Sequence, residues 1–551
     1  MKKHNIVKVV LITMLVFLVL SWILPAAYFS GQYVEQGRVQ MGLFDLFNYP
    51  FTALSYFGYI AFYIILVGGF YGVLYKIPAY RTFLDKVVAL FKGKEKIFLS
   101  IVVVLFALLV SICGLQLGLL FFVPFVVAVI LLMGYDKIVA ALVTVGSITV
   151  GLAGTTYAYQ NIGMLASGLS LDFDYEIGVR FVILLVGVIL VIFNTFMYIK
   201  KSMNDVKAEK KTIKKAEAEA SEVKEEVVEV KKETKTSKPK TTSAKKATTK
   251  SSTSTKKSTS KTTKKTTAKS SKSRKSDNKA ALKDEDIIVI KETVMDESEL
   301  VPMAVDTKHK VWPFVVLFIL LFIIMVLGFV VWGENGFGLS LFDDVTSAVT
   351  EFELFGFPIF GKLLGTVNSF GNWSLTDLFL PIALVLLLLV LIYKVKLNDV
   401  FDGFAEGAKK ALGPALVVIL IYSILVLVTY HPFQTVIYKA ILGLAKGFNI
   451  ATTTLVALLA SFFNGDPTYV FQSAIPYYTS VVTNVDNYSM VGIIFQSIYG
   501  LVMLIAPTSV VLMGILSYLK VSYGEWLKRI WKVFLELFII LLILFIILAL
   551  I

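Results

Sequence analysis

Seven apolar runs of about twenty residues each decide the solvent in which this chain folds. They cover 6–27, 56–75, 175–198, 312–332, 377–393, 412–429 and 531–551. Hydrocarbon offers nothing to a peptide N–H or C=O, so each run must satisfy its backbone internally, as a helix. At 57% hydrophobic residues and a mean hydropathy of +0.77, the 551-residue chain is predicted to be an all-α polytopic membrane protein. The first run is longer than the core of a secretory signal and many others follow it, so it is read as a retained helix.

Two further apolar stretches are interrupted in matching places. Cys113-Gly114-Leu115-Gln116-Leu117-Gly118 divides one, and Asn464-Gly465-Asp466-Pro467 divides the other, each between arms read as too short to cross a bilayer alone. Each is followed by a long apolar helix that is itself broken, at 151–163 and at Ala506-Pro507-Thr508-Ser509. Backbone that leaves a helix at membrane depth needs protein or a water-filled cavity around it. Equivalent breaks in two halves of a chain point to a transporter's binding site.

Charge sets the expected topology. The formal charge is +14, and residues 201–300 hold 27 basic against 17 acidic side chains, so most of the excess sits there. Elsewhere the short loops carry the orientation signal. Lys2, Lys3 and Lys8 place the N-terminus in the cytoplasm. Lys76, Arg81, Lys86, Lys92, Lys94 and Lys96 mark one inner loop, Lys394, Lys396, Lys409 and Lys410 another, and Lys520, Lys528, Arg529 and Lys532 a third. The loop 168–177 is acidic, and 333–373 has Lys362 as its one basic residue. These assignments agree only if 97–133 leaves and re-enters the inner side and 450–483 does so from the outer side. The expectation is therefore an inverted repeat of nine crossings plus two re-entrant hairpins, with the C-terminus outside and the chain in the cytoplasmic membrane of a bacterium.

Three regions follow: a repeat over 1–200, a basic linker over 201–310 and a second repeat over 311–551. Residues 234–279 are almost entirely Lys, Thr, Ser and Ala, without the apolar surface needed to offset chain entropy. They read as a solvated linker, with contact to anionic lipid as the functional alternative. A nucleic-acid arm is disfavoured because no aromatic residue is interleaved among the lysines. The run Ile287-Ile288-Val289-Ile290 could dock as a short strand. One cysteine, Cys113, excludes an intrachain disulfide, and the three scattered histidines give no metal spacing, so no cofactor is expected. No GxxxxGK[ST] motif is present. The chain is not expected to be an enzyme.

The residues at the breaks resemble the YfcC-like family, within the superfamily that includes the anaerobic four-carbon dicarboxylate carriers and dicarboxylate/sodium symporters. The likeness rests on Trp22-Ile23-Leu24-Pro25-Ala26, on 114–124 with Gly134-Tyr135-Asp136, on Asn161, on 404–412, on 463–476, and on 507–526 with its Pro507-Thr508-Ser509 and Gly524-Glu525-Trp526. The sequence departs from the family at the tips. Leu117 and Gly118 stand where two glutamates are usual, Asn464-Gly465-Asp466-Pro467 stands where a Ser-Gly pair and a glutamine are usual, and Ile162 follows Asn161 in place of proline. The scaffold is retained while the tip chemistry has changed, so the resemblance transfers no particular substrate. It implies a homodimer by analogy alone.

In such a scaffold each hairpin tip and the broken helix facing it form one half-site. Helix N-termini there offer N–H groups and partial positive charge to a carboxylate. Thr155, Thr156, Gln160 and Asn161 are the candidates in the first half, and Asn464, Asp466, Thr508 and Ser509 in the second. Na⁺ would be held by oxygens near Gly114, Gln116, Asn161, Asn464, Gly465 and Thr508, with H⁺ as the other coupling ion. Such side chains also bond the i−4 carbonyl of their own helix or join helices. Asp466 is the sharpest of them, because a carboxylate in lipid is costly. It also suits the N-cap of the second hairpin arm, with Pro467 behind it. Arg180 is read as an interfacial anchor, and Asp136 and Asp486 as helix caps. The expected function is a cation-coupled secondary transporter of a small organic solute, a carboxylate or amino acid, working by alternating access. The competing reading is a transporter-derived scaffold that binds partners through its linker.

Overall fold

Helices dominate because each apolar run closes its own hydrogen bonds. The computed structural model describes residues 6–202, 300–303, 309–333 and 336–550. Met1–Ile199 and Glu297–Ile551 form one unit, and Lys200–Asp296 a second, of which 200–202 alone are described. The basic stretch 234–279 and the run at 287–290 therefore lie outside the described residues.

In the first half the helices are α1 (Ile6–Ile23), α2 (Asp45–Tyr75), α3 (Pro78–Leu90), α4 (Glu95–Cys113), α5 (Val123–Leu132), α6 (Lys137–Ala153), α7 (Tyr159–Gly168) and α8 (Ile177–Ser202). The second half has α9 (Trp312–Phe329), α10 (Leu341–Thr350), α11 (Ile359–Leu364), α12 (Phe379–Ile392), α13 (Leu397–Tyr430), α14 (Gln434–Leu442), α15 (Ile450–Phe463), α16 (Pro467–Val481), α17 (Tyr488–Val502), α18 (Val510–Leu519) and α19 (Tyr523–Leu550). Pro25 ends the first apolar run early, and a small antiparallel ribbon follows, β1 (Ala26–Phe29) with β2 (Tyr33–Gly37).

Eight described helices are long and apolar enough to cross a membrane: α1, α2, α4, α8, α9, Leu375–Ile392, α13 and α19. This differs from the expected nine in two ways. The first hairpin arm is not short: α4 starts back at Glu95 and reaches 19 residues, a full bilayer's length. The two broken helices, in contrast, are split into pieces that each fall short, with α6 at 17 residues and α18 at 10.

The packing repeats between halves. Helix α1 lies on α13 while α12 touches α2; α3 packs on α5 as α14 packs on α16; α4 packs on α6 as α15 packs on α17. The two halves are not identical. Arms α15 and α16 pack against each other, whereas α4 and α5 both lie on α6.

The halves meet most closely where α2 crosses α13. Gly68 and Gly72, four residues apart, face Gly403, Gly407 and Ala411, so the backbones approach without intervening side chains. A Cβ at Gly407 would lie 2.0 Å from the Gly68 carbonyl oxygen, and one at Gly72 would lie 2.1 Å from that of Gly403. Neither neighbour is a flexible side chain that can step aside. Gly407→Ala is therefore expected to destabilise the detergent-solubilised protein by about 1–3 kcal/mol in thermal unfolding. Gly413→Ala, whose Cβ would meet only Ser517 Oγ at 3.9 Å, should leave stability unchanged or raise it.

Candidate functional site

In the first half, α4 ends at Gly114, which takes a left-handed conformation (φ 69°) and turns the chain. The chain re-forms as a short 3₁₀ turn, Gly118–Phe121, before α5. Tyr63 of α2 donates its hydroxyl to the Gly118 carbonyl at 2.8 Å and ties this tip to the crossing helices. Between α6 and α7 the break at 154–158 is filled by Ser111, on the last turn of α4. The Ser111 carbonyl faces the N–H groups of Thr156, Tyr157 and Ala158 at 2.9, 3.2 and 3.2 Å. It also accepts from Thr156 Oγ1 at 3.3 Å, and Ser111 Oγ donates to the Gly154 carbonyl at 2.7 Å. Three N–H groups aimed at one point make a cradle suited to negative charge, and here a carbonyl oxygen occupies it.

The second half repeats this contact. Thr508, in the break between α17 and α18, donates Oγ1 to the Phe462 carbonyl at 2.9 Å. Phe462 lies three residues before Gly465, as Ser111 lies three before Gly114. Gly465 sits so close to the break that a Cβ there would be 2.0 Å from the Thr508 carbonyl oxygen. Tyr499 of α17 donates to the Gly465 carbonyl at 2.9 Å. Asn464 Oδ1 accepts from the Asp466 N–H at 3.1 Å. Asp466 Oδ1 accepts from the N–H groups of Thr468 and Tyr469 at 3.0 and 3.5 Å, the N-cap of α16. Asp466 is half-buried and borders a small cleft shared with Tyr422, Asn464 and Thr508. Tyr422 stacks on Phe57, with ring centroids 4.1 Å apart, and Phe57 meets Tyr469 edge-on, so aromatic rings wall the carboxylate.

The candidates thus separate by what they are bonded to. Thr156 and Thr508 join hairpin to break. Thr155 Oγ1 bonds back to the carbonyls of Gly151 and Leu152, and Ser509 Oγ caps α18 through the Leu512 N–H. Gln160 reaches across to the Trp373 carbonyl of the second half at 3.1 Å, and its Oε1 would lie 3.5 Å from a Cβ at Gly114. Asn161 is 4% exposed, yet neither atom of its amide has a partner among the described residues, and Gln116 Oε1 is in the same condition. Gln116 is two residues from Gly114 and Asn161 adjoins Gln160, so these unclaimed groups gather at the first tip. No three His, Cys, Asp or Glu side chains converge among the described residues.

The two hairpin-and-break units are joined through α6 and α17. A Cβ at Gly500 would lie 2.1 Å from the Ala153 nitrogen. Gln496 donates to the Thr155 carbonyl at 2.8 Å and accepts from Tyr175 at 3.2 Å. Sequence reasoning missed Gln496, Tyr499 and Ser111. For Ser111 the signal was its matching offset from the turn glycine.

Two assignments are corrected. Arg180 is not an interfacial anchor: it is fully buried, because α8 turns it inward against Tyr175. Asp486 does not cap the helix that follows it; Asn484 Oδ1 caps the local turn, accepting from the Asp486 N–H at 3.1 Å. Asp136 does cap α6, through the Val139 N–H at 2.9 Å.

Against known proteins, the family model of the C4-dicarboxylate anaerobic carrier, DcuC, matches residues 4–244 and 273–550. The chain belongs to the DcuC family. It is thus a membrane transporter with a small organic solute as its cargo, and the family is one of carriers rather than enzymes. The match carries the relation to anaerobic dicarboxylate carriers and does not single out the YfcC-like branch. No curated protein and no solved structure matches the chain.

The cap at Asp466 can be separated from its charge. Asn serves as well as Asp at an N-cap, so Asp466→Asn should leave the thermal stability of this DcuC-family protein within about 0.5 kcal/mol. Asp466→Ala should cost about 1 kcal/mol in the same thermal unfolding measurement.

Proposed function

We propose that this chain carries a C4-dicarboxylate across the cytoplasmic membrane of a bacterium by alternating access, coupled to Na⁺ or H⁺. In this reading 1–200 and 311–551 are inverted repeats joined by 201–310, and the hairpins 97–133 and 450–483 dip into the bilayer from opposite sides. The single observation that carries the reading is the repeated tie between hairpin and break, Ser111 with Thr156 and Phe462 with Thr508. Each tie leaves non-helical backbone in the interior of an apolar helical protein. Backbone of that kind is tolerated at membrane depth where it is buried in protein or lines a cavity.

The residues divide the work by their chemistry. Asn161 and Gln116 have unused hydrogen-bonding capacity and are the first-half groups that receive solute or Na⁺. In the second half Asn464, Gly465 and Thr508 are already engaged with protein, so Asp466 is the group that meets a cation there. A neutral hydroxyl and amide lining holds a dianion only if its charge is offset, and a bound cation offsets part of it. Coupling follows from that requirement: the cation and the anion each lower the cost of burying the other.

Reconstitution tests this directly. Proteoliposomes should accumulate labelled succinate when an inward Na⁺ or H⁺ gradient is imposed, and equilibrate without accumulation when both are collapsed. Uptake that ignores both gradients would remove the coupling. Asp466→Asn should weaken the dependence of uptake on the driving cation while Asn161→Ala raises half-saturating succinate about 10-fold, the equivalent of one lost hydrogen bond to a charged group.

A further inference from the structure

Among the described residues, Arg180 is the one Lys, Arg, Asp or Glu side chain that is buried. It has no exposed surface, and a guanidinium cannot shed its proton to escape burial. Nη2 donates to the Phe173 carbonyl at 2.9 Å, and the guanidinium carbon lies 4.4 Å from the centre of the Tyr175 ring. Nε and Nη1 are buried and donate to no described residue. The carboxylates nearest in sequence, Asp174 and Glu176, are both exposed, and neither forms an ion pair with it. A buried cation with no carboxylate in contact costs several kcal/mol of desolvation, which Asp174 and Glu176 offset only in part, from beyond ion-pair distance. The first turn of a helix, where α8 places it, makes that worse, because the helix end is itself positive.

Its position connects it to the break in the first half. Arg180 precedes Leu184 by one helical turn, about 6 Å along the axis, on the same face. The backbone of Leu184 touches the break itself: a Cβ at Gly154 would lie 2.6 Å from the Leu184 Cα. From Tyr175, which lies against the guanidinium, hydrogen bonds run to Gln496 and on to the Thr155 carbonyl. Arg180 therefore ends a polar chain that begins at the broken helix.

We propose that Arg180 holds one carboxylate group of the transported dianion through Nε and Nη1. The inference rests on the carboxylate-carrier reading above and supplies what that reading lacked, a fixed positive charge. The hairpins offer none, since no lysine or arginine lies between Lys96 and Lys137 or between Lys446 and Lys520. In the present arrangement the donors are shut from solvent, so the anion meets them in another arrangement of the transport cycle. The anion then satisfies the two empty nitrogens and offsets the cost of burying the charge.

Competition uptake by the full chain in proteoliposomes tests the proposal, with labelled succinate as substrate and unlabelled succinate or its monoamide, succinamate, as competitor. Arg180→Gln should raise half-saturating succinate about 30-fold or more. It should also abolish the advantage of succinate over succinamate, because the second carboxylate no longer has a partner. Arg180→Lys keeps the charge but not the fork, and should recover part of both. Unchanged half-saturation in Arg180→Gln overturns the proposal. So does a loss that affects both competitors equally, which marks a purely structural arginine. If Arg180→Gln does not reach the membrane, Arg180→Lys decides by the same ratio, and a wild-type ratio in it rejects the proposal. Absence of succinate uptake by the unaltered protein defeats the carrier reading itself, and with it this inference; uptake that Arg180→Gln leaves intact defeats only the inference.

Discussion

Backbone that stops being helical inside an apolar protein has to find its hydrogen bonds among neighbouring chain segments. That constraint organises the centre of this molecule. Four N-terminal N–H groups and four C-terminal carbonyls are orphaned wherever a helix ends. The two hairpins and two breaks multiply such ends away from water. The solution is mutual: the last turn of α4 supplies a carbonyl to the N–H groups of one break, and the last turn of α15 accepts a hydroxyl from the other. Hairpin and broken helix are therefore one unit in each half, and neither can shift without exposing the other's backbone.

Two kinds of close approach hold these units in place. Where α2 crosses α13, and where α6 crosses α17, glycines bring backbone onto backbone. Nothing in such a contact can yield by changing a rotamer, so a larger residue at either crossing has to push the helices apart. Asn161, Gln116 and Arg180 keep buried polar atoms without a described partner in the first half, as Tyr71 and Tyr80 do there and Gln434 and Thr454 do in the second.

The two halves are related but not interchangeable. In the second half the tip residues are bonded to one another and to Tyr499, and a carboxylate caps the returning arm. The first half has no carboxylate at its tip and keeps an amide without partners. The first arm is a helix of bilayer length whose partner arm lies on α6, while the second hairpin is a packed pair. The two halves are thus alike in the hairpin-to-break ties and unlike in the tip chemistry, where the sequence also departs from the resembling family.

Much of this was legible in the sequence, because composition and spacing act locally. Apolar runs of bilayer length allow only helices. Gly114, Gly465, Pro467 and Pro507 interrupt those runs, so both hairpin tips and the second break could be placed by residue number. Asp466 could be placed at a cap because capping spans only three residues. What lay beyond reach depends on contacts between segments far apart in the chain. Arg180 sits beside two carboxylates at the head of a span, a pattern identical to that of a surface anchor. Only the packing of α8 against the first break turns it inward. Thr155 and Thr156 are adjacent and chemically alike, yet one bonds its own helix and the other a hairpin 45 residues earlier. Which of two neighbouring hydroxyls faces a partner depends on helix rotation, which is set by the whole packed assembly.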